Sequence, residues 1–548
     1  MGSSSSLSLS SSLPVVYAVV VVLGSCFFPW ISLSQETAYP EILVHGSEVV
    51  AETDDRYVCA TLDWWPHDKC NYGQCPWGYS SAINLNLLHP VLGNAIRAFG
   101  NLRIRVGGSL QDQVVYDVGD SRPPCSPFQK AEGGLFGFSK GCLHMRRWDE
   151  LNALFQRTGA TVTFGLNALS GREPTKWNIW VGDWDSNNAY DFIKYTISRG
   201  YPVDSWEFGN ELCGTGVGAR VAAEQYAKDL IVLKSIIDEL YKDSREKPLI
   251  VTPGGFFDRE WFTKVLEVTG SGVIDVLTHH IYNLGAGVDP NLMRKILDPI
   301  HLSQISTTFS DLKDTIHAHG PWAAAWVGES GGAYNNGGRH VSNTFINSFW
   351  YLDQLGMAAK FNTKVYCRQT LIGGNYGLLN TTTLTPNPDY YGALLWHRLM
   401  GRGVLAIESN ASPSLRLYAH CSKGRAGISL LLINLGNEIE CITTIRSAAE
   451  DLHSKARLAK QGNIKTKAFF GGRASDGPSF REEYRLTPHN GFLQSQTVLL
   501  NGNALKLTKE GDVPEMKPHL VPANTPVSIA PLSISFIVLP DFHAQACA

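Results

Sequence analysis

The sequence predicts an α/β fold, a (β/α)8 TIM barrel followed by a C-terminal β-sandwich domain. Two observations carry this. Between about residues 55 and 400, eight short β-rich apolar runs alternate with longer helix-patterned segments, the repeat of a barrel of parallel strands. After about Gly403 the helical patterning stops, and short strands separated by Gly, Asn and Pro turns take over. The chain is large enough for both: of 548 residues, 44% are apolar and 18% charged, which leaves ample material for a core.

The elements follow in order. Residues 1–37 read as a signal peptide, in which a Ser-rich start leads into an apolar run from Val15 to Leu23 and then Phe27, Phe28 and Trp30. No Lys or Arg precedes Arg56, so an uncleaved membrane anchor is the alternative. The start also matches a myristoylation pattern at Gly2 and Ser6, which chance explains in so Ser-rich a stretch. Residues 38–54 are expected to add a strand to the sandwich. The barrel takes 55–400, with strands expected at 58–62, 102–106, 161–166, 205–208, 249–252, 276–280, 325–328 and 365–369. Helices are expected between them, for example over 222–241 and 343–360. The sandwich takes 401–548, with strands at 415–420, 428–434 and 534–539.

Secretion makes the cysteines intelligible. Apart from Cys26 there are ten, none in a zinc spacing, and disulfides in an oxidising compartment are expected. Cys125 and Cys142 are candidates to bridge a Gly/Pro-rich loop. Sequons at Asn380 and Asn410, the second followed by Pro413, are candidate glycosylation sites of an extracellular, cell-wall or matrix protein. A vacuolar or lysosomal location, or peripheral membrane association, is the alternative.

The formal net charge is −3 and no Lys/Arg block stands out, which argues against nucleic acid as a partner. The 14 Trp and 20 Tyr offer flat faces suited to pyranose rings, although large cores use them too.

In a barrel, reactive side chains gather where strands end. The predicted ends carry Asp63, Ser109, Asn167, Asn210 with Glu211, Thr252, His280 with Tyr282, Glu329, and Arg368 with Gln369. Glu211 and Glu329 terminate the fourth and seventh strands. A retaining glycosidase needs two carboxyl groups about 5–5.5 Å apart, one to attack the anomeric carbon and one to protonate the leaving oxygen. Asn210 precedes Glu211, where an amide can bond the sugar 2-hydroxyl, and small residues follow Glu329, leaving room for a sugar. Tyr282 and His280 are placed to hydrogen-bond the two carboxyls. Either glutamate alone reads more readily as a solvated loop residue; the two together, at these strand ends, reverse that. Glu207 shares a strand face with Glu211 and is the rival acid, or else a hydrogen-bonded residue inside the barrel. His279 and His280 read as neutral structural imidazoles rather than metal ligands, since no third ligand has suitable spacing. No metal or cofactor is expected.

These motifs resemble glycoside hydrolase family 79, in particular the heparanase-like β-glucuronidases of plants and, more distantly, animal heparanase. The resemblance runs through Val106-Gly107-Gly108-Ser109, Phe164 to Leu169, Trp206 to Leu212, His279 to Tyr282, Gly328-Glu329-Ser330 with Ala333-Tyr334, Arg368-Gln369 and Gly373 to Tyr376. It implies retaining hydrolysis of β-glucuronides without a cofactor, with Glu211 as proton donor and Glu329 as nucleophile. It further implies Asp63, Ser109 and Asn210 as hydroxyl contacts, and a glucuronate carboxylate seat at Asn335, Asn336 and Gly337 with Gly374 and Tyr376. His280, Tyr282 and Gln369 complete the substrate set, and Cys421 and Cys547 the pair closing the sandwich.

Two departures matter. Animal heparanase has three glycines where this chain has Asn335-Asn336-Gly337, so carboxylate contacts there carry over less directly. Its basic cluster after the fifth strand is replaced by Phe256-Phe257-Asp258-Arg259-Glu260, which argues against a highly sulfated substrate. The loop after the second strand holds no long excised linker, so a single uncut, monomeric chain is expected. The expected function is release of β-glucuronic acid from extracellular glycans such as arabinogalactan proteins, or from small glucuronides. An endo-acting enzyme of heparanase type, a glycosidase acting on xylose or glucose, and a non-catalytic glycan-binding protein are the alternatives.

Overall fold

The computed structural model describes residues 36–119, 125–214, 216–449 and 479–548; the expected signal peptide and myristoylation pattern lie outside them. Eight parallel strands close into a barrel: β1 (Val58–Leu62), β2 (Arg103–Val106), β3 (Thr161–Leu166), β4 (Ser205–Phe208), β5 (Leu249–Gly255), β6 (Val276–Ile281), β7 (Ala324–Ser330) and β8 (Val365–Arg368). Each is followed by a helix that covers the outside: α1 (Pro90–Arg97), α2 (Met145–Thr158), α3 (Asn187–Ser198), α4 (Ala223–Leu240), α5 (Arg259–Thr269), α6 (Ser306–His319), α7 (Ile346–Lys360) and α8 (Pro388–Leu399). Two shorter helices precede α6.

Local chemistry explains the helix ends. Proline opens α1 and α8, where its missing N–H costs nothing, and Asp258 caps α5 by accepting from the Trp261 N–H. β5 and β7 run past their expected ends because the ladder continues through register shifts, between Pro253 and Gly255 and between Val327 and Ser330. A third shift lies between His279 and His280 in β6. Such irregularities re-aim side chains, and all three sit at the barrel mouth that holds the expected site.

Apart from three short two-stranded pairs in the barrel loops, the remaining described strands form one 13-stranded sheet, so the two sheets of a sandwich are here a single ladder folded over its own core. The long strand Met400–Ser409 makes the join. One end pairs with Leu415–Ser422, and the other with Glu41–His45, which itself runs parallel to Glu440–Ser447. Ile42, Val44, Ile445 and Ile529 thereby meet Leu430, Leu432 and Ile537 in a buried layer. The N-terminal segment thus supplies an internal strand of this sheet.

The sheet docks on α7, which explains why that helix is buried along its length up to Ala359. The ring of Tyr418 lies where a side chain at position 356 would be, so only glycine fits there. Buried Asp353 accepts from the Tyr418 hydroxyl at 2.5 Å and from Arg416 Nε at 2.7 Å. Four disulfides add covalent ties: Cys59–Cys367, Cys70–Cys75, Cys125–Cys142 and Cys421–Cys547. The first joins β1 to β8, at the seam where the barrel closes, and the last pins the C-terminal turn to the sheet. Cys213 and Cys441 are buried outside these pairs. No described helix is long and apolar enough to cross a membrane.

Candidate active site

β4 ends at Phe208, and the chain turns through Gly209 and Glu211, both at positive φ (69° and 53°). For a glutamate that conformation is strained, and it is held by the Glu211 N–H bonded to the Gly254 carbonyl at 2.7 Å. β7 delivers Glu329 from across the mouth, and its neighbour in the ladder is His280 of β6. One carboxylate oxygen of Glu211, one of Glu329 and one ring nitrogen of His280 all lie within 4.8 Å of one another. The expected pair meets in one site.

Their surroundings differ. Glu329 accepts from the Tyr282 hydroxyl at 2.5 Å and from Arg105 Nη1 at 2.8 Å, a pairing suited to a carboxylate anion. Burial keeps the Tyr282 phenol well above its ordinary pKa, so it stays a donor. Among the described residues the Glu211 carboxyl has one hydrogen-bond partner, His280, with Nδ1 3.0 Å from Oε1. Burial pushes the Glu211 carboxyl up to about 7, against the opposing pull of Arg105. Burial also pushes His280 down to about 3, leaving it neutral. The site therefore holds one carboxyl whose hold on its proton burial strengthens, beside one that accepts from two donors. These three ligand atoms could face a metal ion, but Arg105 already supplies the cation at Glu329 and His280 is engaged with Glu211.

Arg105, on β2, is the centre of this network and was not among the strand-end residues. Its Nε donates to Glu207 at 2.7 Å and its Nη2 to Asn210 Oδ1 at 2.8 Å. Glu207, the rival acid, is fully buried and bound from below by this guanidinium, with its pKa raised by burial. Asn210 has its amide orientation set by the same donor, so Nδ2 is left enclosed and without a partner among the described residues. Asp112 accepts from the Asn210 and Ala168 N–H groups, both at 2.8 Å, and so anchors the turn that carries Glu211. Burial pushes Asp112 up to about 7.

With this geometry in place, comparison with known proteins is decisive. Residues 39–356 match the sequence profile of glycosyl hydrolase family 79, N-terminal domain. The chain belongs to glycoside hydrolase family 79. It is 59% identical to Heparanase-like protein 1 of Arabidopsis thaliana, over 97% of this chain and 99% of that protein. It is 41% identical to Baicalin-beta-D-glucuronidase of Scutellaria baicalensis, over 90% of each. Among solved structures, a 4-O-alpha-L-rhamnosyl-beta-D-glucuronidase from Fusarium oxysporum superposes with a TM-score of 0.61 at 13% identity, over 91% of this chain and 100% of that one, a likeness of fold alone. The family-79 chain is a glycosidase.

The other expected residues divide. Asp63 accepts from Gln369 Nε2 at 2.8 Å, and Gln369 in turn is bonded by Thr61. Asp63 Oδ1 is enclosed and has no partner among the described residues, and burial with the nearby Glu329 charge pushes the group up to about 8. Gly108, at φ 100°, lets the β2 turn pass so close that a Cβ there would sit 3.0 Å from the Asp63 carboxyl. Tyr376 is buried against Gly331 and Gly337, and Asn336 and Gly374 lie beside it, so four of the five carboxylate-seat residues converge. The fifth, Asn335, is exposed, and its amide donates to Tyr72 at 3.0 Å, at the rim. Its side chain is not part of the buried group. Ser109 is half-buried beside the mouth. Arg368 points outward between Trp350 and Tyr351, bonded to Asp389 at 2.9 Å, and is a structural residue. His279 bonds the Trp326 carbonyl at 3.0 Å. The sequons differ in exposure: Asn410 is exposed, while Asn380 is half-buried and its Oδ1 accepts from the Thr382 N–H.

Proposed function

We propose that this chain is a retaining β-glucuronidase acting by double displacement. Glu329 attacks the anomeric carbon while Glu211 gives its proton to the leaving oxygen. Glu211, now a carboxylate, then takes a proton from water, which displaces Glu329 from the sugar with net retention. The observation that carries the reading is the pair itself. One carboxylate oxygen of each lies within 4.8 Å of the other, which supports the close pairing of a retaining enzyme over the wider separation, about 6.5–9.5 Å, at which inverting enzymes hold a water between acid and base. Their unequal environments support the division of labour.

Glucuronate as the sugar is supported by the family, by the 41% identical relative named for a glucuronide, and by the converging Asn336, Gly337, Gly374 and Tyr376. Asp63, Ser109 and Asn210 would bond the hydroxyls. Exo action on extracellular glycans or small glucuronides fits Phe256-Phe257-Asp258-Arg259-Glu260, which offers one cation where a sulfated chain would need several. The four disulfides fit a secreted protein, and Asn380 and Asn410 would carry its glycans.

The test is a panel of aryl β-glucuronide, β-glucoside and β-xyloside, assayed with wild type, Glu211→Gln and Glu329→Gln. The glucuronide should be preferred, and each variant should lose turnover by roughly two to four orders of magnitude while remaining folded. A preference for another sugar, or an active variant, would overturn the corresponding part.

A further inference from the structure

The loop after β1 carries a small closed hairpin that the two-carboxylate chemistry does not use. Asn71 and Gln74 exchange both backbone hydrogen bonds at 2.9 Å, and the Cys70–Cys75 disulfide closes the hairpin behind them. Tyr72 and Gly73 form the two-residue turn, both at positive φ (52° and 70°). Glycine adopts that conformation freely and tyrosine does not, so a tyrosine at the tip points to a use for its side chain. The use is a contact with another loop of the mouth. The Tyr72 ring is 48% exposed, yet its hydroxyl accepts from Asn335 Nδ2, in the loop after β7, at 3.0 Å.

β8 stands between β7 and β1 in the barrel, so this bond joins the two loops that flank β8. Both partners are held from behind. Trp77, just after the disulfide, donates to Asn336 Oδ1 at 2.8 Å, and the loop after β8 adds the Asn375 N–H to the Asn336 carbonyl at 2.6 Å. On the far side, Gly285–Ala286 in the loop after β6 pairs with Ala333–Tyr334, and the Gly287 N–H bonds the Tyr334 carbonyl at 3.0 Å. The loops after β6, β7, β8 and β1 thus make one continuous rim.

That rim has a definite place relative to the reaction. Glu211 leaves β4, and β8 is the fourth strand on from β4 in the ring of eight, directly across the mouth. C1 and C4 are likewise opposite corners of a pyranose. With the glycosidic oxygen turned to Glu211, the sugar's O4 is turned to the β8 side.

We propose that the Tyr72 hairpin, tied to Asn335, closes the non-reducing side of the site, so that a terminal glucuronate with a free O4 enters and one substituted at O4 does not. The inference rests on the glucuronidase reading above and adds to it the device that makes the enzyme exo-acting. A wall of this kind selects by clash with the wrong substrate rather than by attraction to the right one.

Two aryl β-glucuronides test it, one with a free O4 and one carrying a second pyranose there. Wild type should cleave the first and show a kcat/KM about 1000-fold lower on the second. Tyr72→Ala should leave the first within about twofold and raise the second about tenfold. Replacing residues 71–74 by Gly-Gly, which shortens the hairpin, should raise the second further, by about 100-fold over wild type. Tyr72→Phe keeps the ring but loses the bond, and should fall between wild type and Tyr72→Ala. Equal rates of wild type on the two substrates would overturn the proposal. So would an unchanged ratio in both Tyr72→Ala and the shortened variant with wild-type melting; if the shortened variant is unfolded, an unchanged ratio in Tyr72→Ala overturns it alone. Wild type with no preference for aryl glucuronide over aryl glucoside would instead remove the functional reading itself.

Discussion

Arg105 donates from Nη1 to Oε2 of Glu329 at 2.8 Å, with both side chains almost wholly enclosed. The guanidinium also donates to Glu207 and Asn210, so one residue holds Glu329, a second buried carboxyl and the Asn210 amide in fixed relation. Removing it strands charge. Arg105→Met should destabilise the fold by about 3–5 kcal/mol in urea denaturation, and adding Glu207→Gln should restore part of that. Equal stability of the single and double variants would show that Glu207 is not the strained partner.

The acid role of Glu211 predicts a dependence on the leaving group. In Glu211→Gln, aryl glucuronides with a strongly acidic phenol should lose far less in the first, glycosylation step than those with a poor leaving group, because they need no proton. Pre-steady-state release of the phenol would measure it. Uniform loss across a leaving-group series would contradict the assignment.

The pH profile follows from the same group. Burial places Glu211 at about 7, and the first step uses its protonated form. The kcat/KM for aryl glucuronide should be level at lower pH and fall as pH rises through that value, approaching tenfold per unit. The limb should vanish in Glu211→Gln measured on an activated substrate. A limb that persists there belongs to another group, of which Asp63, pushed up to about 8, is the nearest candidate.

The Cys421–Cys547 bridge spans 126 residues of sequence. Replacing both cysteines by serine should lower stability by about 2–5 kcal/mol in thermal or urea unfolding. At low temperature turnover should be near wild type, since the bridge lies in the sheet domain. Loss of turnover without loss of folding would instead link that domain to the site.

The barrel was legible because its strands are local events: apolar runs such as Thr161–Leu166 and Val276–Ile281 carry their own signal, and Glu211 and Glu329 stand at strand ends. What was not legible depends on distant partners. Arg103 and Arg105 alternate on β2, a sign of two cations facing the barrel interior, yet nothing local says which carboxylates they meet. Asp112 sits in a short turn and works through backbone N–H groups of residues 168 and 210. The single folded sheet was hidden for a similar reason, since Glu41–His45 pairs with strands some 360 to 400 positions away.

The most direct test of the whole account is the configuration of the sugar first released from an aryl β-glucuronide, followed by proton NMR before mutarotation. Double displacement at Glu329 predicts that β-glucuronic acid appears first and the α-anomer only later. Initial release of the α-anomer would mean inversion, and would contradict the roles given to Glu211 and Glu329 together.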